Sequence, residues 1–126
     1  MTDIPVTMNS ELELPVPTEW RRGFHSVVEY LCLETVIPPD KHLRIRPLSN
    51  SWRVEGLKYA ADYGETLSSL SEETWNTSVA IWMGEYWEVL VDLYTVESGR
   101  SDMVLHARVF AENDGYRIEP GMVYVP

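Results

Sequence analysis

TSVAIWM (77–83), YWEVLVDLYT (86–95), DMVLHARVFA (102–111) and YRIEPGMVYV (116–125) are rich in β-branched and aromatic residues and are separated by turn-forming breaks. That pattern predicts consecutive antiparallel strands, a β-meander. Gly84-Glu85 between the first two runs suits a two-residue type II′ turn, which pairs Trp82 with Trp87 and Met83 with Tyr86. In this register one face collects Ala80, Trp82, Trp87, Val89, Val91 and Leu93. The other collects Val79, Ile81, Tyr86, Glu88, Leu90, Asp92 and Tyr94. A three-residue loop would exchange these partners, because one residue of slip turns a strand over. Pairing Thr95 with Met103 across a loop at 96–102 sets Leu93 beside Leu105 and Val91 beside Ala107, which keeps the first face apolar. The second face then gains His106, Arg108 and Phe110. Asn113-Asp114-Gly115 supplies the next tight turn, and Pro120-Gly121 marks a bulge or bend in the last strand.

An apolar face needs cover, and the first half of the chain provides it. Trp20, Phe24, Val27, Val28 and Leu31 recur at helical spacing, predicting a helix over 19–35 with Thr18 as N-cap and Pro38-Pro39 as the stop. His25 and Glu29 lie one turn apart on its other side, a spacing that suits a solvated pair or acid–base work. A second helix follows Ser49 to Ser51, with Val54, Leu57 and Ala61 as its apolar stripe and Gly64 at C′. Gly56 within it costs about 1 kcal/mol against alanine unless the backbone approaches a neighbour closely. Residues 65–70 read as a weak strand, and Ser71-Glu72-Glu73 as the acidic first turn of a short helix ending near Trp75. Residues 1–17, with three prolines, read as an extended or disordered arm that ends in an edge-strand interaction by LELPV. Residues 18–126 are expected to form a single α+β domain.

The 126 residues carry a net charge of −10 and one cysteine. Phosphate binding draws on Lys and Arg, so the twofold excess of acids over bases argues against nucleic acid as a partner, and none is expected. The charge is segregated: acids exceed bases seven to two over 1–40, bases exceed acids five to two over 41–63, and acids exceed bases eleven to three over 64–126. The basic segment KHLRIRPLSN alternates Leu43 and Ile45 with Arg44 and Arg46, an extended stretch expected to pair with the protein's own acids. Lone Cys32 and the lack of a leader-like or membrane-spanning run predict a cytoplasmic protein that neither enters nor crosses a membrane. His25, His42 and His106 show no i, i+4 pair, so neither metal nor cofactor is expected. Glu88 and Asp92 stand about 13 Å apart along a strand and cannot act as a dyad. No catalytic residue is assigned; Asp92 beside His106 on neighbouring strands is the one pair with that geometry. The acids and hydroxyls of residues 96–102 lack the spacing of a calcium loop and read as a turn.

The run Trp75-x-x-Ser78-Val79-x-x-Trp82, then Trp87-x-Val89-Leu90-Val91-Asp92-Leu93-Tyr94-Thr95-x-Glu97-x-Gly99-x-Ser101-Asp102, and the ending Val123-Tyr124-Val125-Pro126 resemble an uncharacterised bacterial domain family of unknown function. The resemblance spans about residues 18–126 and implies a bacterial single-domain protein with no assigned sites. The order of elements is also similar to nuclear-transport-factor-2-like (NTF2-like) or cystatin-like folds, in which a curved sheet wraps a helix. The expected architecture is therefore α+β: a curved antiparallel sheet with two N-terminal helices packed on one face. The expected function is protein binding, toxin-neutralising or regulatory, with Trp82, Tyr86, Glu88, Asp92, Tyr94, Glu97, His106 and Arg108 engaging a basic protein. The alternative is a small-molecule or enzymatic NTF2-like pocket using Asp92 and His106, and the chain is expected as a monomer or a homodimer through the sheet.

Overall fold

The computed structural model describes residues 3–126; Met1 and Thr2 of the N-terminal arm lie outside them. Seven strands form one mixed, mostly antiparallel sheet: β1 (Leu14–Pro15), β2 (Leu43–Ile45), β3 (Leu67–Ser68), β4 (Val79–Trp82), β5 (Trp87–Thr95), β6 (Gly99–Glu112) and β7 (Gly115–Tyr124). The order across it is β1-β4-β5-β6-β7-β2, with β3 beside the far end of β5. Among the described residues only β2 runs parallel to its neighbour, β7. Helices α1 (Arg21–Leu33) and α2 (Asn50–Asp62) lie on one face, so the architecture is α+β.

The β4–β5 hairpin has the two-residue turn its glycine requires. Trp82 faces Trp87, Met83 N–H donates to Tyr86 O at 2.8 Å, and positive φ falls on Gly84 and not on Glu85, which is the type II′ signature. The next register differs from the expected one. Thr95 pairs with Gly99 rather than Met103, and Val91 with Leu105 rather than Ala107. The turn is the short Val96-Glu97-Ser98, closed by Gly99 at φ 67°, and the surplus residues go into a bulge at Ser101-Asp102-Met103 opposite Leu93. Ser101 holds that bulge: its buried hydroxyl donates to Leu93 O at 2.7 Å and accepts from Met103 N–H at 3.1 Å. The displacement is even, so every side chain keeps its expected face.

Between Val79 at the start of β4 and Ser68 at the end of β3, the edge of β5 is plugged by side chains. Asp92 N–H donates to Ser78 Oγ at 2.9 Å, and Thr74 Oγ1 donates to Asp92 O at 2.7 Å. Both hydroxyls are buried and supplied by the 3₁₀ turn Glu72–Asn76 and its exit. The turn itself is capped by Ser71, whose Oγ accepts from Glu73 N–H. Buried backbone groups must find partners, and here the chain supplies them without a strand.

Helix α1 and the turn before it place Trp20, Phe24, Val27, Val28 and Leu31 in one core with Val89, Val91, Leu93, Met103, Leu105, Ala107, Val109 and Ile118, all at 0–1% exposure. Each large side chain so buried contributes about 1.5–3 kcal/mol. The helix comes this close because Gly23 lacks a side chain: a Cβ there would lie 2.6 Å from Leu43 Cδ2. Its ends differ from expectation. A 3₁₀ turn, Thr18–Trp20, precedes it, and Thr18 Oγ1 accepts from Ile4 N–H at 2.7 Å instead of capping. It stops at Leu33 because Glu34 turns left-handed at φ 58°, ahead of the proline pair.

Helix α2 is capped by Ser49, whose Oγ accepts from Trp52 N–H at 3.1 Å. It closes in a Schellman motif, with Gly64 N–H on Ala61 O and Glu65 N–H on Ala60 O. Its inward face is only partly the expected stripe: Leu57 is half-buried and packs against the core, but the other two members do not. Gly56 and Ala60 are buried, whereas Val54 is 48% exposed and Ala61 is exposed. Small residues lead because a Cβ on Gly56 would already lie 3.1 Å from Leu31 Cδ1 and 3.3 Å from Val123 Cγ2. In β7, Gly121 and Met122 together oppose His106, a one-residue bulge. The bulge frees Gly121 O, which accepts from Trp52 Nε1 at 2.6 Å. The N-terminal segment lies along β4: Leu14 pairs with Ala80, Val16 is fully buried, and Thr7 O accepts from Trp87 Nε1 at 2.8 Å.

Gly115 sets the junction of β2 and β7, because a Cβ there would overlap the backbone carbonyl of His42, the acceptor for Tyr116 N–H. Gly115→Ala is expected to lower stability by about 1–3 kcal/mol through this overpacking, read as a shift in urea midpoint. A change below about 0.5 kcal/mol, the scale of neutral surface substitutions, contradicts the close approach.

Candidate functional site

Alternation along β5, β6 and β7 decides what the helix-free face displays. Every second residue of β5 is buried under α1, and the intervening Glu88, Leu90, Asp92 and Tyr94 are half-buried on the opposite side. Val104, His106, Arg108 and Phe110 from β6 and Arg117, Glu119 and Tyr124 from β7 share that side, as do Val79 and Ile81 from β4. The β7 bulge reverses the alternation, placing Tyr124 outward where an unbroken strand would place it inward.

At the centre, His106 Nε2 lies 2.8 Å from Glu88 Oε1. The two sit diagonally, since His106 is directly opposite Leu90. Glycine at 121 allows the ring to settle, because a Cβ there would lie 3.0 Å from His106 Nδ1. Around the pair is a shallow hollow of about 190 Å³ lined by Glu13, Val79, Ile81, Leu90 and Tyr124. The expected Asp92–His106 partnership does not form: Asp92 stands opposite Val104, and its carboxylate has no ion-pair partner among the described residues.

The remaining charges on this face are ordered by aromatic rings and by one another. The Arg108 guanidinium lies 4.8 Å over the Tyr86 ring centre, and that of Arg117 lies 4.6 Å over Phe110. Tyr86 and Phe110 touch, with ring centres 5.4 Å apart. Arg117 also pairs with Glu112 and, at 3.0 Å, with Glu119. The basic segment joins the same array: Arg44 lies 2.8 Å from Glu112 and 3.2 Å from Asp114, while Arg46 approaches Glu119 only to 3.9 Å. The hydrogen bonds from Arg44 and Arg117 hold the Glu112 carboxyl below its ordinary range. Such exposed pairs contribute about 0–1 kcal/mol each and serve chiefly to fix geometry.

Six of the eight sequence-derived candidates therefore share the open face: Tyr86, Glu88, Asp92, Tyr94, His106 and Arg108. Trp82 is on the helix side, its ring centre 4.5 Å from that of Trp87. Glu97 belongs to the β5–β6 turn, where its carboxylate accepts from Thr66 N–H at 2.7 Å and Thr66 Oγ1 at 2.8 Å; these bonds lower its pKa. Leu90 and Tyr124 complete the face. The alternation already placed Leu90 there; Tyr124 depends on the position of the bulge.

Other reactive groups are occupied or quiet. His25 Nε2 is 2.9 Å from Glu72 Oε1, off the line of a hydrogen bond, so His25 turns to the 3₁₀ segment rather than to Glu29. Burial, reinforced by Glu29, pushes the Cys32 thiol up to about 11, which leaves it protonated and weakly nucleophilic near neutrality. No cluster of three metal-ligating side chains occurs among the described residues. No helix among the described residues is long and apolar enough to cross a membrane.

A model of DUF7668, a domain of unknown function, matches residues 28–126, and the chain belongs to that family. No curated protein and no solved structure matches.

Asp40 clasps the segment between α1 and β2. Its carboxyl is held at about 2, below the ordinary 3.8, first by the hydrogen bond from Arg22 and then by His42 N–H. Because the folded value is the lower one, the clasp is fully stabilising above pH 3.8 and loses its contribution as pH falls through about 2. Asp40→Asn is expected to lower the urea midpoint at about pH 5, with the difference from wild type closing towards pH 2. A pH-independent difference contradicts the clasp.

Proposed function

We propose that this member of a family without an assigned activity is a protein-binding module, bacterial and cytoplasmic, toxin-neutralising or regulatory in role, that docks a basic partner on the open face of its sheet. In this reading residues 18–126 form the module and residues 1–17 its arm. The observation that carries the proposal is the one-sided cover of the sheet: both helices pack on one face, leaving Tyr86, Leu90, Tyr94 and Tyr124 half-buried around Glu88 and His106 on the other. Aromatic residues with a few fixed polar groups are the composition of protein-recognition surfaces.

Charge supports the choice of partner. Arg117 on this face is paired with Glu112 and Glu119, and Arg44 with Glu112 and Asp114, whereas Asp92 has no ion-pair partner among the described residues of a chain of net charge −10. A basic surface is steered towards it. The alternative, an NTF2-like pocket between sheet and helix, draws no support from an interface filled by Trp20, Phe24 and Leu31 at 0% exposure, nor from the separation of Asp92 and His106.

The test is capture of lysate proteins on immobilised full-length protein at low and high salt, with a Leu90→Arg variant alongside. A basic protein retained at low salt, released at high salt and bound at least about tenfold more weakly by the variant is the expected result; tenfold corresponds to about 1.4 kcal/mol. Absence of any salt-sensitive, variant-sensitive partner contradicts the proposal. A solution mass of two chains that Leu90→Arg halves also contradicts it, because the face is then occupied by a second copy.

A further inference from the structure

The second surface lies at the edge of the sheet. Among the described residues, strand β2 pairs with β7 alone. His42 O accepts from Tyr116 N–H at 2.8 Å, and Arg46 N–H donates to Ile118 O at 2.9 Å, so the even-numbered residues direct their backbone groups at β7. Alternation then turns the backbone groups of Leu43 and Ile45 away from the sheet. Leu43 N–H is satisfied by Asp40 Oδ1 at 3.1 Å. The N–H and C=O of Ile45 have no such partner among the described residues.

A groove of about 480 Å³ runs beside this edge, between β2, the end of α1 and the segment leading into β2. Tyr30, Val36, Ile37, Pro38 and Leu48 give it apolar walls, and its volume lies in the range of ligand sites. Of the charged groups along it, Glu34 is engaged by Arg53 at 3.1 Å, Asp40 by Arg22 at 2.8 Å, and Arg44 by Glu112 and Asp114. Arg46 is different: its side chain is 62% exposed and stands 3.9 Å from Glu119, whose other oxygen is taken by Arg117. The groove therefore has one cation to offer.

We propose that an extended segment of a partner protein adds to β2 as an outer strand, with an aliphatic side chain in the groove and an Asp or Glu carboxylate on Arg46. The free backbone groups decide between occupants. A free aliphatic carboxylate would fill the groove and meet Arg46, yet it would strip water from the Ile45 N–H and C=O and return no hydrogen bond, a net loss. An extended peptide satisfies both. The shortness of β2 and Pro47 beyond it limit the pairing to a few residues, so side-chain anchors must supply much of the affinity. This edge is separate from the open sheet face and stands or falls independently of it.

The test uses a fluorescein-labelled library of short peptides in which a fixed Glu is flanked by Val, Ile or Leu and the other positions are Ser or Thr, titrated against the full chain by fluorescence anisotropy. Saturable binding is expected, weakened about tenfold by Arg46→Ala, the scale of one charge-assisted hydrogen bond. Replacing the fixed Glu by Gln has the same effect and keeps the test valid should Arg46→Ala misfold. The Ile45 amide, followed by hydrogen exchange, is slowed in the complex, and Leu90→Arg leaves the affinity unchanged. The proposal is overturned by no binding, by equal binding of the Glu and Gln peptides, by an Ile45 amide already protected in the free protein, or by loss of binding in Leu90→Arg alone. Saturation of the groove by octanoate, with displacement of the peptide, overturns it in favour of a small carboxylate.

Discussion

The structure depends on the contact between Trp20 and Trp87. Trp20 ends the 3₁₀ turn that leads into α1, is fully buried, and holds its ring centre 5.1 Å from Trp87 of β5 and 5.3 Å from Tyr116 of β7, each edge to face. Such pairs contribute about 0.5–1.5 kcal/mol beyond the area they bury. Their larger effect is positional. The helix is pinned at its start, Gly23 one turn later lets it descend onto Leu43 and Ile118, and Phe24 to Leu31 then cover the inner face of the sheet. Trp87 extends the same cluster to Trp82 and to the N-terminal segment through Thr7.

Covering one face completely is what leaves the other bare. Two helices of thirteen residues each are occupied by the inner side of β5, β6 and β7, and no other element of comparable size among the described residues lies on the outer side. The outer side is stabilised within its own plane instead, by guanidinium groups over rings and by carboxylate–arginine ladders across β6, β7 and β2. These contacts fix side chains without burying them, which preorganises the face for recognition.

Much of this was legible in the sequence, and the exceptions have physical causes. The Trp20-to-Leu31 spacing, the Gly84 hairpin with Trp82 opposite Trp87, the Gly64 cap and the composition of the open face all follow from local rules. The β5–β6 register escaped because a hydroxyl, Ser101, stabilises a bulge that turn chemistry does not announce. The inward face of α2 escaped because close approach selects Gly56 and Ala60 over the larger Val54. His106 meets Glu88 rather than Asp92 because cross-strand partners depend on that register, and the pairing of β2 with β7 joins segments about seventy residues apart, beyond any periodicity. Among the candidate residues, Trp82 and Glu97 were separated from the face by their own structural work, one in the aromatic cluster and the other on Thr66.

In the isolated chain the sheet has one sealed face and one accessible face. Hydroxyl-radical footprinting of the free protein, at a concentration where its mass is that of one chain, measures this directly. Tyr86, Leu90, Tyr94 and Tyr124 are expected to be oxidised readily while Trp20, Phe24 and Leu31 are protected. Equal protection of both sets would contradict it.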